Sequence, residues 1–207
     1  MEPQTHQETA TKIISPLWSA TLPTYRAGGD QARHLPHLFE TEWTTGLPLP
    51  LGEQRAPGQS VALADGTTFH RETDENRLSA AYKQRPRTRV YESIDARSDG
   101  WYSLVATQMA RLTKRRVICT MYESKATDDN LGAHYDVWFG VIMQMRGTKS
   151  WKISTPQGGQ EIMTRAGDIL LLPPNVEHDV TTPEYSVHLV FAITGNPMRS
   201  AAHSGTT

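Results

Sequence analysis

The sequence has little of several features that would place it in a specialised class of protein. A single cysteine, Cys119, excludes an internal disulfide. No apolar run approaches the roughly 18 residues of a transmembrane helix, and the N-terminus lacks the basic start and apolar stretch of a secretion signal. We therefore expect a cytoplasmic protein that has no membrane partner.

The chain also lacks an excess of charge of one sign. It has 21 Lys and Arg residues against 22 Asp and Glu residues, which gives a formal net charge of -1. This balance does not indicate a basic surface for phosphate backbones, so nucleic acid is not expected as the primary ligand. Two short basic segments, residues 83–89 and 111–116, are typical of solvated faces but leave the docking of an acidic substrate open.

The 207 residues are enough for one core-forming domain. Residues 1–14 and 196–207 are short of large apolar side chains, so we expect a disordered N-terminal tail and a flexible C-terminal tail. Between them, residues 15–195 are expected to form a single catalytic domain. Its first part, residues 15–97, is rich in Pro and Gly, which predicts loops with short helices or strands.

From residue 98 onward, the hydrophobic pattern changes from helical to strand-like. An apolar stripe with helical spacing predicts a helix that is capped by Ser98 or Asp99. Five short runs rich in apolar and β-branched residues follow, at 117–122, 138–145, 150–154, 168–172 and 186–193. Short strands separated by turn residues favour a mainly β domain, a double-stranded β-helix of the jelly-roll or cupin kind, with flanking helices.

Three residues form a candidate metal site. His134 and Asp136 stand two positions apart before an apolar strand, and strand alternation places such residues on the same face. His178 follows a buried strand and a Pro-Pro turn and supplies a third candidate. Two imidazoles and one carboxylate are the ligand set of non-haem Fe(II) oxygenases, in which the other coordination positions stay open. The alternative interpretation of His-x-Asp is a satisfied polar pair at a strand end.

Two ordered blocks of residues accompany these candidates. The first follows the His-x-Asp pair and consists of Gln144, Gly147, Lys149 and Trp151. The second is the pattern Gly-Asp-x-Leu-x-x-Pro-x-x-x-x-His over residues 167–178. Both blocks resemble the Jumonji-C, cupin-like 2-oxoglutarate oxygenases, especially the bacterial ribosomal-oxygenase type. The resemblance covers about residues 117–193.

The resemblance implies that Fe(II) is bound by His134, Asp136 and His178, and that 2-oxoglutarate and dioxygen are cosubstrates. Oxidative decarboxylation of 2-oxoglutarate to succinate and carbon dioxide would then accompany hydroxylation of an unactivated C–H bond. The substrate would be an amino acid, a peptide or protein side chain, or a small natural product. A homodimer is compatible with this assignment.

The same resemblance assigns four residues to the cosubstrate. Lys149 lies fifteen residues after His134, at the family's position for the cation that pairs with the distal carboxylate. Tyr122 would donate its hydroxyl to that carboxylate, with a core tyrosine as the competing interpretation. Thr120 replaces the family's usual asparagine. Ser186 stands where the family often has a serine or asparagine near the cosubstrate, although an ordinary strand serine explains it equally well.

Two other functions stay open at this point. A metal-dependent cupin that acts as an isomerase or dioxygenase without 2-oxoglutarate would keep the metal ligands and have no use for Lys149. A non-catalytic cupin that binds a small ligand would not need the metal. Among the aromatic residues, Trp138, Trp151 and Phe191 fit either a pocket lining or the core. His188 is placed where it could meet the substrate.

Overall fold

Strands make up most of the ordered structure, and helices pack against the larger of two sheets. The structure, a computed structural model, describes residues 5–51, 60–155 and 158–198. The helices are α1 His6–Ala27, α2 Thr41–Gly46, α3 Glu75–Gln84, α4 Ile94–Arg97 and α5 Trp101–Thr113. The strands are β1 Arg33–Leu35, β2 Val61–Asp65, β3 Thr68–Glu72, β4 Arg89–Tyr91, β5 Arg115–Ser124, β6 Phe139–Arg146, β7 Thr148–Thr155, β8 Gly158–Arg165, β9 Ile169–Leu172, β10 His178–Thr181 and β11 Ser186–Pro197.

The strands pair antiparallel in both sheets, which confirms the predicted fold class. The larger sheet has eight strands in the order β1-β9-β6-β11-β5-β4-β2-β3, and the smaller sheet has three in the order β10-β7-β8. Because β11 lies between β5 and β6, residues from distant parts of the sequence form one row across the sheet. One such row contains Tyr122, His188 and Gln144.

Alternation along the central strands builds two buried layers. On β11, Leu189 and Phe191 join the core formed with the helices, in which α1 packs against α5. Val190 points the other way and packs with Trp151 of the small sheet. Successive side chains of a strand point to opposite faces, so β11 is buried on both faces. The candidate site lies in the layer between the two sheets.

Part of the expected N-terminal tail is a capped helix. The hydroxyl of Thr5 accepts a hydrogen bond from the backbone N–H of Glu8, whose carboxylate accepts one from the backbone N–H of Thr5. Ala10 and Ile13 of this helix are buried in the core. The prediction of disorder is therefore wrong for residues 5–14, because a capping box and a sparse apolar stripe fold within a mostly polar segment. Residues 1–4 lie outside the described residues.

The other boundaries differ from the predictions by a few residues. β11 continues to Pro197, into the expected C-terminal tail, and residues 199–207 of that tail lie outside the described residues. α5 has Gly100 as its N-cap, so neither predicted capping residue occupies that position. The single-domain boundaries stay a prediction.

All five predicted strands are present, as β5, β6, β7, β9 and β11. The sequence did not predict β8, which exposes most of its residues, or β10, which has only four. Edge strands with few apolar residues leave little hydrophobic pattern. Among the described residues, no helix is both long enough and apolar enough to cross a membrane.

Candidate metal centre and cosubstrate pocket

His134, Asp136 and His178 come together at a cavity between the two sheets. One ligand atom from each side chain lies within 4.8 Å of the others. Nε2 of His178 is 3.8 Å from Oδ2 of Asp136, and the ring centroids of His134 and His178 are 4.3 Å apart. The fold thus assembles the two imidazoles and the carboxylate that the sequence suggests.

A backbone bridge holds the two histidines together. The N–H of His134 donates to the carbonyl of His178 at 3.0 Å, and the N–H of His178 donates to the carbonyl of His134 at 2.8 Å. This is an isolated bridge, and the regular strand β6 begins only at Phe139. His134 and Asp136 therefore lie before the strand and not within it as expected, and pairing between two distant segments brings His178 to them.

Local hydrogen bonds orient both imidazoles. Nδ1 of His134 lies 2.7 Å from the carbonyl oxygen of Gly132, and Nδ1 of His178 lies 3.0 Å from that of Val176. Because a carbonyl oxygen only accepts, each Nδ1 carries the proton and donates it. Each Nε2 then keeps its lone pair for a ligand bond. This arrangement fits a divalent metal ion.

Burial disfavours the charged forms of His178 and Asp136. It lowers the pKa of His178, an effect that the hydrogen bond to Val176 opposes. It also raises the pKa of Asp136, an effect that the electrostatic influence of His134 partly offsets. A neutral imidazole is the form that binds metal, and a carboxylate with a raised pKa lacks a strong cationic partner. The three donors therefore fit Fe(II), which would supply that positive charge.

Lys149 reaches the same cavity with its ammonium group buried. The residue is 2% exposed, and Nζ donates to Oγ of Ser124 at 2.8 Å and to Oγ1 of Thr182 at 3.1 Å. It forms no ion pair with any acidic side chain of the described residues. Burial lowers its pKa to about 7, against the raising effect of Asp128. A buried cation without an ion-pair partner is unfavourable and fits the binding of a ligand carboxylate.

The remaining predicted cosubstrate residues lie in different places. Tyr122 lines the cavity beside Lys149, and burial raises the pKa of its hydroxyl, which therefore stays a donor at neutral pH. Thr120 lines an adjoining cavity and not the one that contains Lys149. Ser186 lines neither, because it is fully buried and its Oγ accepts a hydrogen bond from Nε2 of Gln144 at 2.7 Å. The structure thus places Ser186 behind the cavity and not in its lining.

No sequence motif marks the polar residues around Lys149. Its acceptors Ser124 and Thr182 come from the end of β5 and from the segment between β10 and β11. Oγ1 of Thr88 lies 3.0 Å from Oγ of Ser124 and extends this network. These hydroxyls are far apart in the sequence, so only the fold shows that they share one site.

The aromatic candidates divide between the cavity and the core. Trp138 and Trp151 line the cavity, whereas Phe191 is fully buried on the helix side of the sheet. His188 also lines the cavity and is 4% exposed. The indole Nε1 of Trp151 donates to Oγ1 of Thr164 at 3.0 Å, which fixes one wall of the cavity.

No Lys or Arg side chain of the two basic segments, both of which lie within the described residues, lines either cavity. Arg85, Arg87 and Arg89 each form an ion pair with an acidic side chain. The segment 111–116 lies at the junction of α5 and β5. Among the described residues, Lys149 is the only Lys or Arg that lines either of the two cavities. The positions of these segments do not support their docking an acidic substrate at the metal centre.

Solved structures with a similar fold include a ribosomal oxygenase. YcfD from Escherichia coli matches with a TM-score of 0.58 at 12% sequence identity, over 86% of this chain and 58% of that chain. Its complex with cobalt and 2-oxoglutarate matches with a TM-score of 0.59 at 12% identity, over 86% of this chain and 59% of that chain. Its complex with cobalt and succinic acid gives a TM-score of 0.59 at 13% identity, with the same coverage.

Neither a family model nor a curated protein sequence matches the chain. The chain spans less than two thirds of the length of the YcfD chains that it matches. Likeness at this level of identity defines the architecture. The chain therefore has the cupin-like fold of the E. coli ribosomal oxygenase.

Proposed function

We propose that this chain is an Fe(II)- and 2-oxoglutarate-dependent dioxygenase that hydroxylates an unactivated C–H bond. The observation that carries the proposal is that a His-Asp-His ligand set and the buried ammonium group of Lys149, which forms no ion pair within the described residues, line one cavity. Non-haem iron oxygenases combine two imidazoles with one carboxylate and keep other coordination positions for their substrates. A metal-dependent cupin without a keto-diacid would not need the ammonium group.

Each residue of the cavity has a defined task in this proposal. His134 and His178 present Nε2 to the metal because their Nδ1 protons are held by backbone carbonyls. Asp136 supplies an anionic oxygen. Lys149 binds the distal carboxylate by its charge, and Tyr122 donates a hydrogen bond from its hydroxyl. Iron and 2-oxoglutarate, when bound, supply with dioxygen the oxidising power for the hydroxylation.

The walls of the cavity strengthen these interactions by excluding water. They are largely apolar and include Ile142, Trp151, Leu172 and Val190. In such surroundings the attraction between an ammonium group and a carboxylate is stronger than in bulk water. The chemistry that we propose needs no protein side chain as a general acid or base.

The size and lining of the adjoining cavity fit a neutral, largely apolar substrate group. Its volume of about 420 Å³ lies in the range of small-molecule sites, and it shares His134 and Asp136 with the first cavity. Its walls are mostly apolar and include Phe69. The carboxylate of Glu92 accepts two hydrogen bonds from Arg71 and is neutralised by it. We expect a small natural product or a peptide side chain without an acidic group, with no role for nucleic acid.

Succinate formation tests the proposal. Purified protein is incubated in air with Fe(II), ascorbate and 2-oxoglutarate, and succinate is measured without added substrate. Wild type should produce succinate, and Asp136→Asn should not. The matched variant Asp179→Asn removes a carboxylate beside His178 that is outside the ligand cluster and should keep the wild-type rate. Lys149→Ala should raise the KM for 2-oxoglutarate at least about tenfold, as expected for the loss of a charged partner.

The alternatives predict different results. A protein that retains metal but forms no succinate, with no effect of Lys149→Ala, would be a metal-dependent cupin that does not use 2-oxoglutarate. A protein that retains no metal would be a non-catalytic cupin. Either result overturns the proposal.

A further inference from the structure

The imidazole of His188 lines the proposed cosubstrate cavity, and its Nδ1 atom has no hydrogen-bond partner among the described residues. In the sheet, the backbone of His188 lies opposite Tyr122 on β5 and Gln144 on β6. The residue is 4% exposed, and its Nδ1 atom is buried with no hydrogen bond to any described residue. The large majority of buried side-chain polar atoms have a partner. An unpartnered imidazole in the wall of a cavity points to a contact that a ligand would complete.

Two aromatic rings fix the orientation of this imidazole. The ring of Tyr122 stacks on it, with the centroids 4.8 Å apart and an interplanar angle of 3°. The ring of Trp151 meets it nearly edge on, with the centroids 5.6 Å apart and an angle of 69°. A side chain that is already held in one orientation loses little freedom when a ligand binds. His188 is therefore preorganised for a directional contact.

The ammonium group of Lys149 favours the neutral form of His188. Burial lowers the pKa of His188 well below its usual value, and the charge of Lys149 lowers it further. A neutral imidazole has one N–H donor and one acceptor nitrogen. When an anion occupies the cavity beside Lys149, the N–H donor is the group that matches it.

We propose that His188 donates a hydrogen bond to the ligand carboxylate that Lys149 binds, and thereby selects a keto-diacid over a keto-monoacid. The inference rests on the proposed function, because it takes this anion to be the distal carboxylate of 2-oxoglutarate. Lys149 contributes charge on a flexible stem, whereas the stacked ring of His188 contributes direction. The two residues together define where the carboxylate sits.

Ligand titrations of the full chain loaded with Mn(II) test this assignment. The two ligands are 2-oxoglutarate and 2-oxopentanoate, which has the same keto-acid group and chain length but no distal carboxylate. His188→Phe keeps an aromatic ring for stacking and lacks the N–H. We expect its Kd for 2-oxoglutarate to rise about tenfold or more, and its Kd for 2-oxopentanoate to stay within about twofold. His188→Asn, which restores an N–H donor, should recover part of the loss.

The outcomes distinguish the two proposals. Wild type that binds neither acid when loaded with Mn(II) overturns the proposed function. His188→Phe that binds both acids as wild type does, or that weakens both equally, overturns only the role of His188. If thermal unfolding shows that His188→Phe does not fold, the pair His188→Asn and His188→Leu replaces it. These two side chains are similar in size and differ in the amide, so equal 2-oxoglutarate affinities would overturn the assignment.

Discussion

The backbone N–H of Asn175 donates a hydrogen bond to the carbonyl oxygen of Asp136 at 2.7 Å. Together with the bridge between His134 and His178, this bond ties the turn before β10 to the loop before β6. The backbone therefore holds the three candidate metal ligands close together. Such preorganisation is what a metal site needs from its scaffold.

Asn175 offers a test of this backbone support. Its φ of 64° lies in the left-handed region, which Asn and Gly adopt much more readily than β-branched residues do. Asn175→Val should lower the free energy of unfolding by about 1–2 kcal/mol and weaken Mn(II) binding, whereas Asn175→Gly should stay close to wild type in both. Urea denaturation and calorimetric titration measure the two effects. Equal Mn(II) affinities of the Val and Gly variants would contradict the role of the turn.

Metal binding should stabilise the folded chain. An ion that binds only the folded state at a hundred times its Kd adds about 2.7 kcal/mol to the free energy of unfolding. Mn(II) should therefore raise the Tm of wild type and of Asp179→Asn, and leave the Tm of Asp136→Asn and His178→Ala nearly unchanged. Differential scanning calorimetry with and without EDTA measures the shift. A shift of wild-type size in Asp136→Asn would place the ion elsewhere.

The affinity for 2-oxoglutarate should fall as the pH rises above 7. Burial lowers the pKa of Lys149 to about 7 in the ligand-free protein, and a bound carboxylate would raise it again. Above pH 7, binding must therefore take up a proton, so Kd should rise up to about tenfold per pH unit until the pKa of the complex is reached. Calorimetry between pH 6.5 and 8.5, in two buffers with different ionisation enthalpies, measures Kd and proton uptake.

Lys149→Arg is the matched control for this pH dependence. Its guanidinium stays protonated over the whole range, so the part of the slope that comes from residue 149 should disappear. The same pKa shift affects the ligand-free protein: between about pH 7 and the usual pKa of Lys, the unfolded chain binds more protons than the folded chain. The contribution of Lys149 to the free energy of unfolding therefore becomes more favourable as the pH rises through this window.

The outcome of the binding experiment is decided by the pH dependence of Kd. Equal pH slopes of the 2-oxoglutarate Kd for wild type and Lys149→Arg would contradict the predicted role of Lys149.

The turn that leads to Lys149 should not tolerate a side chain. Gly147 has a φ of 61°, and a Cβ added there would overlap the carbonyl oxygen of Tyr185. Gly147→Ala should lower the free energy of unfolding by about 2 kcal/mol or more, because both the strained φ and the overlap oppose the folded state. The control is Gly159→Ala, where an added Cβ meets nothing within 4 Å. Chemical denaturation compares them, and equal stabilities would contradict the prediction.

Local patterns indicate the buried strands and the three residues, His134, Asp136 and His178, that the fold brings together as candidate metal ligands. β5, β6, β9 and β11 contain runs of apolar residues because the middle of the large sheet is covered on both faces. By contrast, β8 has a mostly exposed edge position, and its side chains leave little pattern to detect. The pattern does not indicate α1, because its buried residues are few and stand among polar ones.

The candidate cosubstrate pocket contains features that no local sequence pattern indicates. Ser186 and His188 are two residues apart on β11, and alternation places both on the side of the small sheet. The hydroxyl of Ser186 accepts a hydrogen bond from the amide of Gln144, whereas Nδ1 of His188 has no hydrogen-bond partner within the described part of the chain. The difference depends on which side chains the neighbouring strands bring alongside, and no local pattern contains it.

The sequence by itself determined the fold class, because hydrophobic alternation is a local property of the chain. It also determined which side chains are the candidates for the site, because motif spacing is local too. These side chains are His134, Asp136, Lys149 and His178. Only the tertiary structure decided which of these groups are buried together and which lack a partner. The reason is that β11 lies between β5 and β6, and that the small sheet closes over them. Burial and hydrogen-bond satisfaction depend on contacts between distant segments, which arise only when the chain has folded.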